Sequence, residues 1–202
     1  MQRTITFALI LFAGTTSRGE SHSSPAAAAG ERSVTVCMED GAGFDLGEAK
    51  VLASSMFAEI GVTVRWRPGI KRCPARGIMI SLYQQTPRSF MPGSLAYAQP
   101  YEGTHIRVFY DRITSLFQRG VAGRVLAHVL VHEITHILQG IDRHSERGIM
   151  KALWDMDDFT TMRRKPLKFE PEDIDLIEHG LSDRAIMANH AASTVAANRS
   201  PT

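Results

Sequence analysis

The chain has 202 residues, a length that favours one domain with room for a real core. With 44% hydrophobic and 22% charged residues it has the composition of a globular protein, not of a fibrous or disordered one. A formal net charge of +2, with no block of lysine and arginine, excludes nucleic acid as the expected partner.

At the start, "MQRTITFALILFAG" carries Arg3 and then an apolar run from Ile5 to Ala13. That run is too short to span a bilayer but suits the apolar core of a secretory signal. Residues 1–30 are therefore read as a signal peptide and flexible leader, cleaved after Ala13 or within the Ala26–Gly30 tract. The expected location is secreted or periplasmic, with no integral membrane segment in the mature chain. No cysteine lies in the leader, so a lipid anchor is not expected. In an oxidising compartment the two cysteines, Cys37 and Cys73, become a candidate disulfide worth ~3 kcal/mol. Two free thiols are the alternative, and a thiolate metal ligand is a third.

"RSVTVCME" (32–39) alternates and is rich in β-branched residues, so it reads as a strand. The next stretch spaces Leu46, Ala49, Leu52, Ala53, Met56, Phe57 and Ile60 as a helix does, with Gly61 as its C-cap. Strands follow at 62–69, stopped by Pro68-Gly69, and at 77–84. "SLAYAQP" (94–100) is a short strand that its proline places at a sheet edge, and 104–111 is a fifth strand. "ITSLFQRG" suggests a short helix.

A long helix is expected from Val121 to Gln139, closed by Gly140. Its apolar residues cover most of the circumference, so it is a buried helix. A final helix spans 170–181, with Pro171 at its first position and Gly180 as C-cap. The Ala/Asn/Ser-rich segment 182–202 is expected to be a disordered tail, leaving 31–181 as the single domain. The order of elements predicts an α/β fold: a mixed, twisted sheet of about five strands with an edge strand, two long helices on one face, and a C-terminal helix.

The chemistry is concentrated in "VLVHEITHILQGIDRHSERGIM" (129–150). His132 and His136 lie one turn apart on one helix face, where two imidazoles can hold one metal ion without closing a loop. Glu133 projects toward the same cavity, placed to take a proton from water without binding the ion. This is the mechanical content of H-E-x-x-H and points to one catalytic Zn2+. The helix end at Gly140 lets the chain turn back with a third ligand. His128, one turn earlier, is too far along the axis to join, and is read as buried support. His105, His179 and His190 are assigned no role.

With its downstream "RGIM" turn, this pattern resembles the metzincin clan of zinc peptidases, whose signature is H-E-x-x-H-x-x-G-x-x-H followed by a Met-turn. The His144-Ser145 through Gly148-Ile149-Met150 part is similar to the matrixin branch, and the whole to a group of short, uncharacterised bacterial metzincin-like sequences. The resemblance implies a zinc metalloendopeptidase acting on peptide or protein substrates, with Glu133 as general base and Met150 as an apolar floor. It also implies that residues Ala96, Tyr97, Ala98 and Gln99 form an edge strand to which an extended peptide adds. Trp154 and Tyr97 are candidates for a subsite. An alternative is a catalytically inactive zinc-binding interaction module on the same scaffold, and a third is a non-peptidase hydrolase using the same ion.

The spacing departs from the clan's at one place. Gln139 occupies the glycine slot and Asp142 the slot of the third ligand, while the glycine comes one residue late and the histidine two. Either His144 ligates from a longer bend or Asp142 does. The serine and Met-turn that follow keep the register of His144, which is taken first.

Overall fold

Val34, Val36 and Met38 point to one side of the first strand and are buried there, as their alternation requires. This strand, β1 (Ser33–Met38), belongs to a five-element sheet in a computed structural model that describes residues 32–39, 46–101 and 104–197. The proposed signal and leader, residues 1–30, lie outside the described residues.

β1 leads to helix α1 (Gly47–Ala58) and then to β2 (Thr63–Pro68). β3 (Ile78–Tyr83), β4 (Ala96–Ala98), β5 (His105–Phe109) and helix α2 (Tyr110–Leu116) follow. The chain continues with α3 (Arg119–Gln139), α4 (Met156–Met162) and α5 (Pro171–Ala197). The strand order is β2-β1-β3-β5-β4, with β4 antiparallel to β5 and the other neighbours parallel. β4 is thus an edge strand, as its proline-flanked sequence predicts; the strand proper is Ala96–Ala98, and Gln99 just beyond it still donates its N–H to the His105 carbonyl of β5 at 3.2 Å.

α1 and α3 pack side by side on the sheet. Ala49, Ala53, Met56 and Phe57 form the buried stripe of α1, and Trp66 of β2 donates its indole N–H to Ser54 Oγ across 2.8 Å. Gly61 ends the turn after α1 with φ +73°, a conformation that only glycine adopts without strain. Among the described residues α3 alone is long and apolar enough to cross a bilayer, and 83% of that stretch is buried in the protein. It is a core helix. Cys37 and Cys73 form a disulfide, with Cα atoms 5.7 Å apart, tying β1 to the loop before β3.

Several expectations need correction. α1 ends at Ala58 with Glu59 as its C-cap, so Gly61 belongs to the turn beyond and not to the cap. α3 begins two residues earlier than Val121. α4 was not foreseen; Asp155 caps it by accepting from the Asp157 and Asp158 N–H groups, while Asp158 accepts from Asp155 N–H at 2.9 Å. The last helix does not stop at Leu181: α5 runs to Ala197, so the tail expected over 182–202 is helical as far as 197. Its alanine-rich composition favours helix, and the missing apolar period marks an exposed helix, not an unstructured chain. Gly180 is no cap. It sits inside α5 where a Cβ would fall onto the carbonyl oxygen of Leu138, so the two helices meet backbone to backbone.

Candidate metal centre

α3 brings His132 and His136 to the floor of a cleft of about 540 Å³, both nearly buried, at 8% and 4% exposure. Gly140 then turns the chain with φ +69°, its N–H bonded to the His136 carbonyl at 2.9 Å. The bend that follows carries the His144 ring back, 5.3 Å from the His132 ring and 4.8 Å from the His136 ring. Potential ligand atoms of His132, His136 and His144 all lie within 4.8 Å of one another, and they form the converging group among the described residues. Asp142 lines the cleft, exposed, outside that group.

The hydrogen bonds fix what these rings offer. His132 Nδ1 lies 2.8 Å from the Ile149 carbonyl oxygen, and His136 Nδ1 lies 3.3 Å from that of Ile141. A carbonyl only accepts, so in each neutral ring Nδ1 holds the proton and Nε2 is left with a lone pair. Those two Nε2 atoms face each other at 3.0 Å. Two lone pairs at that distance repel unless a cation lies between them. Two nitrogens about 2.0–2.1 Å from one tetrahedral ion are separated by about 3.3 Å. The donor set fits zinc: three imidazoles, two of them oriented by backbone carbonyls.

Burial sets the protonation of the floor. It depresses His132 to about 3, helped by the neighbouring His136, and lowers His136 as well, so both rings are neutral and able to ligate. Burial pushes Glu133 up to about 8 against a backbone hydrogen bond from Ala98 that favours its charged form. A divalent cation nearby would act in the same direction as that hydrogen bond. Because Ala98 belongs to β4, the carboxylate and the edge strand are directly joined.

Met150 is fully buried in the tight turn after the bend, closed by Ser145 N–H to Met150 O at 2.8 Å and by Gly148 at φ +73°. Trp154 lines the cleft with its ring edge-on to His132 at 5.4 Å, and its Nε1 is buried without a partner among the described residues. Tyr97, about half exposed, lines the opposite side. His128 is not at the centre. Buried below, it hydrogen-bonds the Arg124 carbonyl through Nδ1 at 2.7 Å and accepts from Leu167 N–H through Nε2 at 3.1 Å.

Sequence reasoning missed the supports of the bend. Asp173, fully buried in the first turn of α5, accepts from Ser145 Oγ at 2.6 Å and from Arg143 Nη1 at 3.0 Å. In the sequence it reads only as an acidic residue suited to a helix start, and no local signal names partners so distant. Thr86, Asp111 and Arg112, which hold the upper rim, left no signal either.

No protein-family model matches the chain, and no curated protein matches it. Among solved structures it is similar to archaemetzincin from Methanopyrus kandleri, at 15% identity and a TM-score of 0.54, over 75% of this chain and 97% of that one. A likeness at that identity speaks to architecture and not to the matrixin branch that the "HS..GIM" pattern resembles. The mixed five-stranded sheet, the buried α3 and the helices around them make a metzincin-like fold.

Proposed function

We propose that this chain is a secreted or periplasmic zinc-dependent endopeptidase, with His132, His136 and His144 holding one ion. The observation that carries the proposal is the pair of Nε2 lone pairs facing each other at 3.0 Å, with a third imidazole beside them and a buried carboxylate next in sequence. Zinc at such a site supplies Lewis-acid chemistry, polarising a carbonyl oxygen and lowering the pKa of water to near 7.

The chain's own groups do the rest. Glu133 accepts the proton of the attacking water and passes it to the departing amine, so no charged leaving group has to form unaided. The Ala98 N–H orients that carboxylate. β4 has one edge on β5 and the other on the cleft, so an extended peptide can add along it. Apolar groups along the cleft, among them Met91 and Leu153, suit apolar side chains of the substrate.

Glu133→Gln tests the assignment. The variant is expected to keep one equivalent of zinc by metal analysis and to lose cleavage of a mixed peptide library by at least a hundredfold. Cleavage retained by the variant overturns the role of Glu133. A zinc-loaded parent that cleaves nothing in the library overturns the peptidase reading and leaves a metal-binding module. N-terminal sequencing of the exported protein tests removal of the leader.

A further inference from the structure

The bend between α3 and Met150 has to deliver His144, and it is two residues longer than the metzincin spacing. A longer bend has more conformations available, so something must select one. We propose that Asp173 is the positioning residue for His144, acting through Arg143 and Ser145; this rests on the zinc reading above.

Every polar atom of the Asp173 carboxylate is used. Oδ1 accepts from Ser145 Oγ at 2.6 Å and Arg143 Nη1 at 3.0 Å, and Oδ2 accepts from Glu170 N–H at 3.1 Å. Arg143 also donates to Ser145 Oγ at 3.3 Å and pairs with Glu172. From the other side, Gln139 Nε2 at the end of α3 donates to the Asp173 backbone carbonyl at 3.3 Å. A fully buried carboxylate with three donors around it, on a residue whose backbone carbonyl takes a fourth, cannot shift without leaving one of them unpaired.

The two donors from the bend flank His144. Residues 142–144 are outside any helix, and in extended chain successive side chains alternate sides. Anchoring 143 and 145 on α5 turns 144 toward the cleft, together with 142, which lines it. The same alternation explains the departure in spacing. Two extra residues preserve the side, so the imidazole at 144 faces where a residue at 142 would, whereas one extra residue would turn it away.

The test is zinc affinity by chelator competition on Asp173→Asn and Ser145→Ala, with the thermal midpoint of the metal-free proteins measured alongside. Asp173→Asn is expected to weaken zinc binding about 10–100-fold, the usual effect of losing a group that orients a ligand. Ser145→Ala removes one arm, is expected to weaken it less, and remains informative if the Asp173 variant does not fold. The cobalt-substituted variants are expected to show a changed visible spectrum, which a loss of stability alone would not produce. In a His144→Ala background Asp173→Asn is expected to have no further effect on affinity, because its action passes through the missing ring. Affinity within twofold of the parent for both single variants, or equal losses with and without His144, overturns the inference. If His136→Ala also leaves zinc affinity unchanged, the zinc reading itself has failed; if His136→Ala abolishes binding while both variants bind normally, only the role of Asp173 has.

Discussion

Below the cleft, Asp173 and His128 are fully buried and each bonds chain far from itself in sequence. Above it, the segment from Thr86 to Leu95 is held by half-buried groups at the start of α2. Asp111 accepts from Thr86 N–H and Oγ1 at 2.9 and 2.6 Å. Arg112 donates to the Met91 and Ser94 carbonyls at 2.7 and 2.6 Å while stacking on Phe109 at 5.0 Å. The floor is fixed by polar groups that water cannot replace, whereas water competes for every bond in the rim. A metal site tolerates little displacement of its donors, while a surface that receives varied peptides gains from give, and the two modes of anchoring match those needs.

Three measurements would sharpen or break this contrast. The largest effect is expected at His128, which burial holds down to about 4. Its unfolded value is near 6.5, so between those values the unfolded chain binds more protons and stability falls as pH falls. The contribution is fully present above about 6.5 and is lost on descending to about 4, on the order of 3 kcal/mol in all. His128→Gln is expected to flatten the midpoint-against-pH curve in that window, and a variant curve parallel to the parent's would show that His128 is not held neutral. Next comes Gly180→Ala, expected to cost about 2 kcal/mol, because the added methyl meets backbone that cannot rotate aside. Calorimetry would read it, and an unchanged midpoint would mean α5 is not seated on α3 as described. The smallest effect belongs to the rim. Arg112→Met is expected to raise KM severalfold with kcat and zinc affinity unchanged, an energy of about 1 kcal/mol. A fall in kcat with unchanged KM would show the rim to be part of the chemical machinery.

The strands and α3 are legible because their signals are local. Val34 and Val36 alternate, and the apolar surround of His132 and His136 marks a helix buried on all sides. The convergence of His132 and His136 follows from helix geometry alone, and His144 from a glycine that stops the helix in time. What sequence cannot supply is the identity of distant partners. Asp173 satisfies the rules for a helix start, and nothing near it distinguishes that duty from bonding Ser145. Gly180 shows the same limit from the opposite direction. In sequence it reads as a stop signal because glycine often ends helices, and it is there because a neighbouring carbonyl leaves no room for a side chain.

That backbone contact has a geometric corollary. With nothing compressible between α3 and α5, the distance from Gly180 back to Asp173 is set by helix rise alone, seven residues or about 10 Å. The C-terminal helix is a measuring rod whose zero mark is Gly180. Lengthening it beyond that mark leaves the reading unaltered, but one residue inserted between the two would swing the carboxylate by about 100° and leave Ser145 facing empty space.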